Sequence, residues 1–414
     1  MKKKLIAILV DGLSANYVRE HRHLLPNLYG LGESGTMVDR LGAAVPGTSM
    51  PGRSCMLTGS TAASHGVYGN HILYNGAFKP AYPEDVGLPT IATLANRAGL
   101  DVACVGAGMV RPEDTHLFIP PAWLRGFLRG SRFHKHVPAD RLERTRVITD
   151  IQERLKPFGI QSPYGHEAET LTVRDTPPVV AGFIADQLMI RTAAALANSD
   201  SPPDLILTEI SMTDSTQHNF GYGSEVAHWA IGVADALIGS LINQLQQSGR
   251  IDDYAIAIAS DHGHTEIRTA IFPEAIIPGI TCECEGATLH VAVRNSQERA
   301  NVTDALRDFG VEEWTSDHIP EGQRELIATY VAPRFHSFEE PPDSNILRET
   351  TGRPQYISTH GVRPGEPEDD RFCVFAGAGV PKVKIDKAKP EQYAASLARL
   401  LGLPNEINAV EALV

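Results

Sequence analysis

Short runs of nearly unbroken apolar residues alternate along the chain with longer stretches in which apolar positions recur every three or four residues. Residues 5–10, 102–105, 205–210, 254–259 and 372–377 are runs of the first kind. Their length and continuity predict strands buried on both faces of a mainly parallel sheet. The second kind predicts helices. Leu24, Leu25, Leu28 and Leu31 precede the breaking glycines Gly32 and Gly35. Ile91, Leu94 and Ala98 share a face, as do the apolar positions of 180–198. Val226, Ala230, Val233, Leu237, Leu241 and Leu245 form a long stripe over 225–247, and a last helix at 390–401 starts on Pro390 and ends before Gly402. Strand and helix in alternation predict an α/β fold, a doubly wound, mostly parallel sheet flanked by helices.

Two regions break this rhythm. Residues 108–178 carry Pro112, Pro120, Pro121 and Pro138 and a mixed aromatic and basic stretch from Trp123 to His136. They are expected to form an irregular insertion near the mouth of any site, its basic cluster facing either an anionic substrate or solvent. In 270–350, residues 287–293 alternate like a half-exposed strand, 298–309 read as a helix and 326–331 as a further strand. This predicts a small α+β cap inserted before His360, leaving 1–269 and 351–414 as the core.

Composition narrows the partners. With 37 basic and 50 acidic residues the net charge is −13, which argues against a binder of nucleic acid polymers but not against a small anionic substrate held locally. Five scattered cysteines do not suggest a disulfide framework. Cys282 and Cys284 resemble half of a soft metal site but read better as neighbours on a strand in a reducing compartment. The lysines at 2–4 and the apolar residues behind them imitate a signal peptide, yet the apolar part ends at Asp11 without a small-residue cleavage site. No segment is expected to reach the ~18–20 apolar residues needed to span a bilayer. A cytoplasmic protein without a membrane partner is the expectation; oligomeric state is not legible.

The polar residues that close the apolar runs carry the chemistry. Asp11 ends the first run, Asp214 and His218 follow the run at 205–210, and Ser260-Asp261-His262-Gly263 closes the run at 254–259. His360 stands in Ser358-Thr359-His360-Gly361. Open α/β sheets hold ligands at the carboxyl ends of their strands, so three Asp and three His are expected at one edge. Imidazole and carboxylate together suit borderline divalent ions. Asp214 and His218 would share a face if they lie on one helical turn. Asp261 and His262 would diverge on a regular strand and converge only where the strand stops. This pattern reads as a two-metal hydrolase. The Gly/Pro-rich segment at 45–53 predicts a helix N-terminus, whose unpaired N–H groups would suit a phosphoryl oxygen. That makes Ser49 the candidate nucleophile, with Thr48 as a lesser rival. Arg53 reads either as a substrate contact or as a structural residue at the turn. His264 and Glu266 read either as groups orienting a ligand or as surface residues.

On these motifs, from Val10-Asp11-Gly12 to Thr359-His360-Gly361, the chain resembles the alkaline phosphatase superfamily. It looks closest to the type I phosphodiesterase/nucleotide pyrophosphatase branch, with phosphonoacetate hydrolase near. The resemblance implies two Zn²⁺, other divalent ions being possible: one held by Asp11, Ser49, Asp261 and His262, the other by Asp214, His218 and His360. It also implies that Asn70 hydrogen-bonds a phosphoryl oxygen, that His65 and Gly66 are structural, and that a phosphodiester or pyrophosphate bond is cleaved through a phosphoseryl intermediate. The nucleophile departs from the branch, which usually has Thr where this chain has Ser49. Ser49-Met50-Pro51-Gly52-Arg53 with Thr58-Gly59 is also similar to the sulfatase signature, although sulfatases hold one metal and usually carry tandem Asp after the first strand. A C–P hydrolase, a phosphomonoesterase and a sulfatase are the alternative activities. A metal-holding binding protein without turnover is the alternative class.

Overall fold

The computed structural model describes residues 4–43, 45–124, 148–158, 178–341, 349–404, 407 and 410–414. Nine strands form the central sheet: β1 (Lys4–Val10), β2 (Thr36–Leu41), β3 (Val102–Val105), β4 (Leu117–Ile119), β5 (Thr149–Asp150), β6 (Leu205–Ile210), β7 (Tyr254–Ala259), β8 (Arg371–Gly377) and β9 (Val383–Ile385). Their spatial order is β9-β2-β8-β7-β1-β6-β3-β4-β5. The centre, β7 through β4, is parallel. β8 runs antiparallel to both of its neighbours, and β5 antiparallel to β4.

The longer helices among the described residues are α1 (Pro26–Ser34), α2 (Ser49–Thr58), α3 (Ile91–Arg97), α4 (Pro178–Ala197), α5 (Met212–Phe220), α6 (Glu225–Gln247), α7 (Ser296–Arg307) and α8 (Glu391–Leu401). The alternation of side chains along a strand decides which helices it meets. On β1, Ile6, Ile8 and Val10 face one core with residues of α1, α4 and α6. Leu5 and Ala7 face the other, with residues of α3 and α8. The result is a sheet sandwiched between two helical layers, as the apolar runs predict.

The expectation that no segment has a bilayer-spanning character needs correction. Val179–Ala197 and Glu225–Gln247 are long and apolar enough by length and composition. Both lie within α4 and α6 and contribute to the core against the sheet, which is where their apolar stripes come from. The basic stretch from 125 to 136 lies outside the described residues.

Between β7 and β8 the chain builds a second core. Cys282–Glu285, Thr288–Ala292, Ile327–Val331 and Glu312–Trp314 form an antiparallel sheet in that order, covered by Val302 and Leu306 of α7. Thr288–Ala292 was expected to be half exposed, yet Thr288 through Val291 are buried. Its polar face is not turned to water: Thr288 Oγ1 donates to the Gly361 carbonyl at 2.6 Å, and the His290 ring meets Tyr68 edge-on. Polar alternation marked an internal interface.

Candidate metal centre and nucleophile

β1, β6 and β7 end side by side, and the predicted residues follow directly. β1 passes into Asp11 and Gly12. Gly12 has φ +68°, and a Cβ there would lie 3.0 Å from Asp214 Cβ and Oδ1. Only glycine lets the chain turn this close to Asp214. β6 leads through Ser211 into α5, whose start is fixed by Asp186 of α4. That carboxylate accepts from Ser211 N at 3.0 Å and Met212 N at 2.8 Å. Asp214 and His218 then lie one turn apart, with His218 Nε2 3.4 Å from Asp214 Oδ1.

β7 stops at Ala259. Ser260 Oγ accepts from Leu13 N at 2.8 Å and donates to the His262 carbonyl at 2.7 Å. This turn releases Asp261 and His262 from strand alternation, and His262 Nε2 sits 3.7 Å from Asp261 Oδ2 and 3.1 Å from Asp11 Oδ1. His360 follows the short strand Ser358–Thr359, which pairs with Thr265–Glu266. Its ring centroid is 4.2 Å from that of His262 and 5.0 Å from that of His218. All six predicted Asp and His residues therefore meet.

Hydrogen bonds behind the rings set their tautomers. His218 Nδ1 is 3.0 Å from the Ser358 carbonyl and His262 Nδ1 2.9 Å from the Gly263 carbonyl. A carbonyl only accepts, so Nδ1 carries a proton in both rings and Nε2 is the nitrogen turned toward the carboxylates. Buried carboxylate oxygens and ring nitrogens packed this closely call for a proton or a metal ion between them. Asp11 Oδ1, Asp214 Oδ1 and His360 Nδ1 are buried with no hydrogen-bond partner, an arrangement that is costly unless something else binds there. Asp11, Asp261 and His262 offer ligand atoms within 4.8 Å of one another, as do Asp214, His262 and His360, and Asp214, His218 and His264. Position and chemistry both fit metal ligation.

Electrostatics agree. Burial pushes the Asp11 carboxyl up to about 8 despite Arg53 beside it, and Asp261 up to about 7. Burial also acts on Asp214, but the imidazoles of His218 and His264 outweigh it and hold that carboxylate well below its ordinary range. Burial and the neighbouring His262 hold His360 neutral.

Ser49 opens α2, and its Oγ lies 3.0 Å from His262 Nε2, at the edge of the cluster. Thr48 turns elsewhere, its Oγ1 donating to Glu285 Oε2 at 3.3 Å. The expectation of an open N-terminus is only partly met. Met50 N donates to Asn70 Oδ1 at 2.8 Å, and Pro51 has no N–H to offer. With Oδ1 so engaged, the amide nitrogen is the donor Asn70 can offer a ligand. His65 is buried and accepts from Val67 N at 3.2 Å, with Gly66 at φ +91° behind it. Both are structural.

Arg53 is shut off from solvent. Fully buried, it places Nη2 2.5 Å from Asp11 Oδ2 and 2.8 Å from Glu209 Oε1, with Nη1 3.0 Å from Asp261 Oδ2. It forms the floor beneath the carboxylates, not a substrate contact. Glu209 completes that floor, accepting also from Gly108 N at 3.0 Å and Trp123 Nε1 at 2.6 Å. Its signal in the sequence is a carboxylate inside a run that is otherwise fit for full burial. Glu285 is a second residue that pattern reading missed. From the inserted module it accepts the N–H groups of Asn70 at 2.8 Å and His71 at 2.7 Å. Of the two residues past the central motif, His264 is buried in the cluster, while Glu266 is exposed and paired with Arg268.

Comparisons with known proteins agree with this geometry. No curated protein matches the chain in sequence. Among solved structures, murine ectonucleotide pyrophosphatase/phosphodiesterase 5 is similar with a TM-score of 0.69 at 14% identity, over 97% of this chain and 96% of that one. The human counterpart gives 0.68 at 14% over the same shares. An inactive variant of the murine protein in complex with AMP gives 0.67 at 15%, again over 97% and 96%. At these identities the likeness establishes the alkaline-phosphatase-like fold. Residues 5–338 match the type I phosphodiesterase/nucleotide pyrophosphatase family, and the chain therefore belongs to that family of phosphoric ester hydrolases.

Proposed function

We propose that the protein cleaves a phosphodiester or pyrophosphate bond of a small anionic substrate, with Ser49 as nucleophile beside two divalent ions, zinc in the first instance. The observation that carries this reading is Ser49 Oγ at 3.0 Å from His262 Nε2, next to ligand-capable atoms that have no hydrogen-bond partner. Asp11, Ser49, Asp261 and His262 would hold one ion, and Asp214, His218 and His360 the other. Such ions would lower the pKa of a hydroxyl or water and neutralise charge on a phosphoryl group. Ser49 Oγ attacks phosphorus in line, forming an Oγ–P bond as the bond to the leaving oxygen breaks. Water then cleaves the phosphoseryl ester and regenerates the hydroxyl, so one difficult displacement becomes two easier ones. Asn70 donates to a phosphoryl oxygen from its amide nitrogen, while Met50 N holds its Oδ1 in place. Arg53 orients Asp11 and Asp261 from below and opposes the rise that burial imposes on both carboxyls.

The AMP complex of the murine relative supports a nucleotide as the substrate. Cys55, Cys104 and Cys373 are buried thiols, not bridges, which supports a reducing, cytoplasmic setting. The test compares p-nitrophenyl phosphate diester, monoester, phosphonate and sulfate with zinc present. The diester should turn over fastest, and Ser49→Ala should abolish that turnover with the metal content still two per chain. Preference for the sulfate ester, or turnover by Ser49→Ala, would overturn the reading.

A further inference from the structure

Asp214 Oδ1 is surrounded by more imidazoles than the predicted ligand set contains. His264 Nε2 lies 3.3 Å from it, as close as His218 Nε2 at 3.4 Å, whereas His262 Nε2 is at 4.0 Å. Neither His264 Nε2 nor Asp214 Oδ1 has a hydrogen-bond partner, and the His264 ring is fully buried. Its other nitrogen is engaged: Nδ1 is 2.6 Å from Ser358 Oγ. Ser358 thus holds two rings, His218 through its carbonyl and His264 through its hydroxyl. Two ligands bonded to one ion at about 2.0–2.2 Å stand roughly 3.0–3.6 Å apart, depending on the coordination angle. The separations of His218 and His264 from Asp214 Oδ1 both fall in that range.

We infer that His264 Nε2 is a direct metal ligand, so that the centre at Asp214 is built from three imidazoles, His218, His264 and His360, and one carboxylate. This rests on the two-ion reading and deepens it. Four protein donors close a tetrahedral ion, as in structural zinc sites. A centre of this composition can meet a substrate oxygen only by taking a fifth ligand. It therefore suits first-row divalent ions that accept five or six donors, and Co²⁺ is a direct probe of it.

The test is equilibrium dialysis and visible absorption of the full chain with Co²⁺, for the wild type, His264→Asn and Ser358→Ala. Asn keeps an amide where Nδ1 meets Ser358 but removes Nε2. Ser358→Ala keeps Nε2 and removes only the support behind it. Wild type should bind two ions per chain. His264→Asn should weaken one of them at least tenfold and change the Co²⁺ ligand-field bands, and Ser358→Ala should weaken the same ion less and leave the bands in place. His264→Gln, with an amide near the Nε2 position, should recover part of the affinity, and circular dichroism of each variant checks folding. Two ions bound to His264→Asn with wild-type affinity and bands would overturn the inference while leaving the two-ion reading intact. A wild type that binds fewer than two ions would overturn the two-ion reading, and the inference with it.

Discussion

Glu285, carried by the module inserted between β7 and β8, accepts the backbone N–H of Asn70 at 2.8 Å. The same carboxylate takes the N–H of His71 and the hydroxyl of Thr48, so one buried group fixes both flanks of Ser49. Burial alone would raise its pKa, but the hydrogen bond from the His71 side chain and the nearby His290 keep it lowered and the group ionised. Hydrogen bonds to a charged acceptor contribute about 1.5–3 kcal/mol each. Glu285→Gln is therefore expected to lower kcat for a diester by tenfold or more with metal content unchanged. Steady-state kinetics with parallel metal analysis checks this.

Removing Arg53 should act on stability before it acts on chemistry. The guanidinium offsets Asp11, Glu209 and Asp261 in a place without water, and taking one partner from a buried ionic cluster costs about 3–5 kcal/mol. Arg53→Met should lower the melting temperature strongly in chelator. Zinc should restore part of the loss, because the ions supply the missing positive charge. Calorimetry with and without zinc tests both halves of the expectation.

Gly12→Ala should cut metal affinity without touching a ligand. A β-carbon at φ +68° is strained, and the new atom would press on Asp214. Isothermal titration with zinc should show at least one of the two ions weakened, and Gly30→Ala, which has open space around it, should show no change.

Acid should destabilise the protein through His65. Burial lowers its pKa to about 3, while an unfolded chain takes up the proton near 6.5. The folded value is the lower one. The stabilising contribution is complete above pH 6.5 and is lost as the pH falls from there toward 3, at about 1.4 kcal/mol per pH unit. Urea midpoints at pH 7 and pH 5 should fall less for His65→Asn, which can still accept from Val67 N, than for the wild type.

Much of this was readable from the residues, for physical reasons that can be named. Runs such as Leu205–Ile210 and Tyr254–Ala259 are buried on both faces, and continuous burial leaves an unmistakable apolar record. Chain reversal at the sheet edge then dictated where Asp11, Asp214 and Asp261 had to stand. What escaped notice was polar and internal. Glu209 hides inside a strand because its partner Arg53 comes from a helix 156 positions away, and no local spacing announces that pairing. Thr288 and His290 looked solvent-facing because a polar interface and water leave the same alternation. β2 and β9 carry charges at partly or fully exposed positions, so their strand character comes from pairing with neighbours, not from their own composition.

The short ladder that joins Thr265–Glu266 to Ser358–Thr359 has a consequence for how the protein comes into being. It ties His264 and His360, which lie on opposite sides of a long insertion, into a single arrangement around Asp214. On the proposed ligand set, a nascent polypeptide leaving the ribosome would carry only part of its donors until position 360 has emerged. On that set, any product of premature termination before that point would lack a complete set of donors and would hold the ions poorly.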